Sequence, residues 1–205
     1  MKFKVGDAVD GDHCTVLTHE FLRCDDSFKE FYRSAGEIII HGRTRESSYK
    51  SYNQYTRFIH HLYEFIIGCH ARDAGNTNIT NKKGDDRTKI IDAYVMHHAQ
   101  RIMSNYRDAI KRGNAPSWVN DIEYYDEIVP SDFAKDFREY RNKVIGHVAY
   151  ERASKLSLSE FYQKYHKYLY HLYQDSIYWW GKHENDFPDL KEITEFSVML
   201  SEENS

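Results

Sequence analysis

The sequence predicts an all-α protein, a bundle of about five main helices. Apolar residues recur at three- and four-residue spacing over long stretches of the chain. The three prolines, Pro116, Pro130 and Pro188, each stand where such a pattern has just stopped or is about to begin. A capping-box pattern, Ser157 followed by Glu160, opens the last long amphipathic stretch.

Each element can be justified in order. From about Thr18 to Ile40 the helical spacing is kept by Phe21, Leu22, Phe28, Phe31, Tyr32, Ile38 and Ile39. A second helix is expected from Tyr49 to His70, where Tyr52, Tyr55, Ile59, Leu62, Ile66 and Cys69 form one stripe. Gly, Asn, Thr and charge make Asp73 to Asp86 an exposed loop. The third helix runs from Arg87 to Lys111, with Ile91, Tyr94, Val95, His98, Ile102, Tyr106 and Ile110 on its apolar face and Gly113 as the stop. Asn114 to Pro130 reads as an irregular connection anchored by Trp118, Tyr124 and Tyr125. A fourth helix, capped by Ser131 or Asp132, continues through Phe133, Phe137 and Tyr140 towards His147. The fifth carries Leu158, Phe161, Tyr162, Tyr165, Leu169, Leu172, Tyr173 and Ile177 and stops at Gly181. Leu190 to Leu200 can add one short helix. The expectation is one domain over residues 1–205, with 1–15 and 188–205 as terminal segments.

Composition narrows the functional classes. Mean hydropathy is -0.77, but much of that value comes from 17 Tyr and 12 His, whose rings still bury apolar surface. No apolar run approaches the ~20 residues of a membrane span, and Met1 to Asp12 lacks the apolar stretch of a secretory signal, so a cytoplasmic protein without membrane contact is expected. Cys14, Cys24 and Cys69 lack paired spacing and read as reduced thiols. A net charge of -4 argues against a surface that grips nucleic acid all over. A polyanion would be held locally, by a patch such as Arg138, Arg141, Lys143 and Arg152, doubled if a second subunit contributes.

The segment from Phe137 to His147 has the residues that phosphate chemistry needs. Arg141 is followed directly by Asn142, and His147 lies six positions after the arginine. Metal-free RNA cleavage requires a base for the 2′-OH, an acid for the 5′-oxygen and a cation on the phosphorane. His147 brings an imidazole, whose reference pKa of about 6.5 lies near working pH, Arg141 offers a fixed charge and a fork, and Asn142 can orient ribose or phosphate. Six positions on a regular helix separate two side chains by about 9 Å of rise and about 120°. Gly146, a weak helix former, is where the backbone is expected to bend to bring them together.

Arg141, Asn142 and His147 resemble the R-N-x(4)-H form of the motif of HEPN-superfamily domains, with the helix from Ser157 in the place of the family's following helix. The resemblance covers residues 130 to 181. It implies a helical bundle acting as a metal-independent endoribonuclease in defence, toxin or stress response, with Arg141, Asn142 and His147 catalytic. It further implies a homodimer that lines one cleft with two motifs, an RNA or nucleotide substrate, and an antitoxin or nucleotidyltransferase partner. Arg138, Lys143 and Tyr150 are the expected substrate contacts. Tyr150, three residues after His147, departs from the two-residue spacing of the toxin-type tyrosine.

Other readings stay open. The module could bind nucleotide, RNA or a partner without turnover, or serve as a helical adaptor through its aromatic last helix, where Tyr165, Tyr168, Tyr170, Tyr173, Tyr178, Trp179 and Trp180 cluster. Arg141 could simply pair with Asp136 or Glu139, while His147 caps a helix end. His60, His61 and Glu64 with His97 and His98 suggest a two-helix metal site, yet without a metalloprotease-type signature none is expected, and His98 reads as a core histidine. No cofactor is expected.

Overall fold

The computed structural model describes residues 1–81, 85–146, 156–180 and 190–202. Its elements are α1 (Ala8–His41), α2 (Arg45–Asp73), α3 (Asn78–Asn81), α4 (Asp85–Lys111), α5 (Glu123–Asp126), α6 (Phe133–Arg141), a π-helical turn (Asn142–Gly146), α7 (Leu158–Trp180) and α8 (Lys191–Glu202). Among the described residues there is no strand beyond a single bridge between Lys2 and Asn76, so the fold is all-α. No described helix is long and apolar enough to cross a membrane.

The first helix begins ten residues before the expected Thr18. Gly6 takes a positive φ of 91°, and the Asp7 carboxylate accepts the Asp10 N–H at 2.9 Å, which supplies a start that the apolar pattern does not announce. The residues read as an N-terminal segment are tied down. Asp10 is buried and receives a two-point bond from Arg72 of α2, at 2.8 and 3.1 Å. The Phe3 N–H donates to Gly75 O just beyond the far end of α2, at 2.9 Å, so α1 and α2 run antiparallel as a helical hairpin. The turn between them is built by Gly42, at φ 80°, and by a Thr44–Ser47 capping box, which starts α2 four residues before Tyr49.

α2 is the central helix. It packs on α1, α4, α6 and α7, and its buried set, which includes Tyr55, Phe58, Ile59, Leu62, Tyr63, Phe65, Ile66 and Ile67, is far wider than one stripe. α1 contributes Leu17, Phe21 and Cys24 to the same core, α4 contributes Ile91, Val95, Ala99, Ile102 and Met103, and α7 contributes Phe161, Tyr165, Leu169, Leu172 and Tyr173. Gly68 permits a close approach within the hairpin: a Cβ there would lie 2.5 Å from Leu17 Cδ2. Of the three expected anchors of the connection after α4, Tyr125 is buried and stacks on Tyr106, whereas Trp118 is 70% exposed. The short helix α5 turns Tyr125 inward, and Trp118 lies too early in the connection to benefit.

Two further expectations change. Asp132 precedes α6 but makes no capping bond; its carboxylate is held by Lys164 of α7 instead. The segment after α6 is no α-helix running on towards His147. It changes at Asn142 to π-helical hydrogen bonding, a wider turn that re-aims side chains. At α7 the Ser157 half of the expected box forms, with the Glu160 N–H on Ser157 Oγ at 3.1 Å. The expected stop at Gly181 lies outside the described residues.

Candidate functional site

α6 places the site because its two faces differ in chemistry. Phe133, Ala134, Phe137 and Tyr140 fall at helical spacing and are buried, with Phe137 meeting Tyr63 of α2 edge-on at 5.1 Å. Arg138 and Arg141 lie one turn apart and are carried to the space between α2 and α4.

There they are held firmly. Arg138 forks onto Asp92 of α4, with Nε and Nη2 donating at 2.9 and 3.1 Å, and this raises the guanidinium's already high pKa. Arg141 forms an ion pair through Nη2 with Glu64 of α2, donates through Nη1 to Asn142 Oδ1 at 2.7 Å, and sits 5.7 Å from the Tyr63 ring centre. Its partner is therefore neither Asp136 nor Glu139. Asp136 accepts from Tyr165 OH at 2.5 Å, and Glu139 from Lys143 at 3.5 Å. Burial pushes the Glu64 carboxyl above its ordinary range, and the charge of Arg141 opposes that only in part.

Arg138, Arg141 and Asn142 line a pocket of about 530 Å³, together with Tyr63, Glu64 and Gly68 of α2, Arg87 and Thr88 of α4, and His13 of α1. No protein-family model, curated protein or solved structure matches this chain. The chemistry must be read from the pocket itself. Its lining holds three guanidinium groups and an amide beside the Glu64 carboxylate, and these are N–H donors of the kind that phosphate oxygens accept. Of Arg141's five N–H donors, one goes to Asn142 and one to Glu64, which leaves donors on both Nη atoms.

Lys143, expected as a substrate contact, is not among the described lining residues of this pocket and pairs with Glu139 one turn earlier. His147, Tyr150 and Arg152 lie outside the described residues. Tyr63, Arg87 and Asp92 were not singled out from sequence. In the sequence Glu64 stands out only beside His60, as a candidate metal ligand, and that four-residue spacing gives no hint of an arginine 77 positions later.

The histidines of α2 and α4 do not share one site among the described residues. His61 Nδ1 lies 2.6 Å from Glu20 Oε1 of α1, and the His60 ring is 5.1 Å from that of His61. Burial lowers the His60 pKa, as do the charges of His61 and Arg141. For Glu20 burial acts upward, but the hydrogen bond and charge of His61 outweigh it and the carboxyl is lowered. His97 is exposed. His98 is half-buried rather than in the core, 3.4 Å from Asp175 and within 3.2 Å of Arg101 Nη2. It lines a separate, smaller groove with Tyr94, Trp179 and Trp180.

Proposed function

We propose that this protein is a HEPN-like, metal-independent endoribonuclease acting as a homodimer, with Arg141 and Asn142 on the scissile phosphate and His147 as general acid and base. The observation that carries the reading is the bonded pair of Arg141 and Asn142 on the wall of an open, arginine-rich pocket. Ion pairs to Glu64 and Asp92 hold Arg141 and Arg138 in place, and Arg141 keeps N–H donors beyond those it gives to Glu64 and Asn142. Such a wall supplies fixed positive charge where a phosphorane develops negative charge. Arg138 and Arg87 would steer the flanking phosphates, with Lys143 and Tyr150 as further substrate contacts. A second copy would supply the second imidazole that two-step proton transfer uses. Defence, toxin or stress response, in the cytoplasm and with an antitoxin or nucleotidyltransferase partner, is the setting this activity would fit.

The test is cleavage of unstructured RNA in EDTA by the wild type, His147→Ala, Arg141→Ala, and the paired Arg141→Ala/Glu64→Gln. The paired variant removes the guanidinium without leaving a buried carboxylate unpartnered. Loss of cleavage by about 100-fold or more in all three, with the paired variant folded, is the expected result. Equal cleavage by all proteins, or by none, overturns it. The arginine-rich wall also favours a second reading, a module that binds nucleotide or RNA without turnover. RNA retention that depends on Arg141 but not on His147, with no cleavage, would select that one.

A further inference from the structure

We propose that Glu20, His60 and His61 form a binding site for a zinc-class divalent transition metal, on the α1–α2 hairpin and separate from the arginine-lined pocket. Each side chain offers one ligand atom, and the three atoms lie within 4.8 Å of one another. Neighbouring positions on a helix point about 100° apart, so two consecutive imidazoles reach one carboxylate only because α1 packs against α2. The donor set, two neutral nitrogens and one anionic oxygen, is the kind that zinc, cobalt and nickel take, and with three protein ligands a fourth position stays open.

A plain ion pair accounts for only part of this arrangement. Glu20 and His61 satisfy each other at 2.6 Å, each with a side chain 18% exposed. His60 is the residue that such a pair leaves unexplained. It is half-buried beside them, and its Nδ1 is shielded from solvent with no hydrogen-bond partner among the described residues. An imidazole in that position is costly to keep unless something binds it. Arg23 approaches Glu20 at 3.8 Å, but its side chain is 54% exposed and can move into water when a cation arrives. Both helices are long and held against each other, so the three ligands stand on rigid supports, as a preformed site needs.

The experiment uses the full chain, stripped with chelator and titrated with Co²⁺. One equivalent should produce the visible absorption of a four- or five-coordinate ion, and Zn²⁺ should displace it and raise the melting temperature. His60→Gln, His61→Gln and Glu20→Gln should each weaken binding by about 10-fold or more. A wild-type protein that shows only the spectrum of aqueous Co²⁺ and no Zn²⁺-dependent melting shift overturns the proposal, whether or not any variant folds. So does binding that survives both His60→Gln and Glu20→Gln. RNA cleavage in EDTA is read separately, so either idea can fail while the other stands.

Discussion

His171 sits among the rings of Tyr106, Tyr124, Tyr125 and Tyr170, buried, with neither nitrogen bonded to a described protein group. Burial lowers its pKa to about 4, and burial does the same to His166, whose Nδ1 meets Tyr55 OH at 2.9 Å. Both folded-state values lie below the ordinary 6.5. Between those limits the unfolded chain takes up protons that the folded chain refuses. Stability is therefore fully present above about pH 6.5 and falls as the pH drops towards 4, by up to about 1.4 kcal/mol per pH unit for each ring. Urea unfolding across this range should show the slope, and His171→Phe should remove about half of it while costing little at pH 7, since it removes two buried, unbonded nitrogens. A steeper slope in that variant would contradict the account. Glu64 makes a second case at this scale. Arg141→Ala strands a carboxyl already pushed upward by burial and should cost about 1–3 kcal/mol, and Glu64→Gln should recover part of that loss in a double-mutant cycle. Strictly additive losses would mean the two side chains do not interact in solution.

Helix ends and helix contacts decide matters at the next scale. The Thr44–Ser47 box closes on itself, with Ser47 N–H on Thr44 Oγ1 at 3.0 Å and Thr44 N–H on Ser47 Oγ at 2.9 Å. Thr44→Ala should lower unfolding free energy by about 1 kcal/mol in denaturant titrations. Gly68 carries the opposite kind of constraint, because any side chain enters the space of Leu17, itself buried. Gly68→Val should destabilise by about 1–3 kcal/mol through overpacking, and trimming Leu17 to Ala in the same protein should relieve part of it. No relief would mean that the cost lies in helix propensity alone. The Ser157 cap of α7 could be found by reading the chain, since a serine hydroxyl and a backbone N–H three residues later interact locally. The box of α2 escaped notice because its third residue is Ser47, not the glutamate or glutamine that marks the usual pattern.

In the molecule as a whole, α2 is the axis on which α1, α4, α6 and α7 rest, so its core residues should matter in every part of the fold. Leu62, wholly buried, should cost about 2–5 kcal/mol when replaced by Ala, and helical circular dichroism and tyrosine fluorescence should still be lost in one transition. Two separate transitions would mean that the hairpin and the remaining helices fold independently. The chain's own pattern was enough for the all-α class, for most of the long helices and for the inward faces of α4 and α7, because a 3.6-residue period is a local property that each helix carries alone. The bond between Arg141 and Asn142 is local in the same sense, because the two are adjacent in the chain. Only the folded arrangement decided that α2 is central and buried on several sides, that Glu64 and Asp92 receive the arginines of α6, and that Glu20 meets His60 and His61. Those partners stand on different helices tens of residues apart, and no periodicity along the chain encodes which helix lies across which.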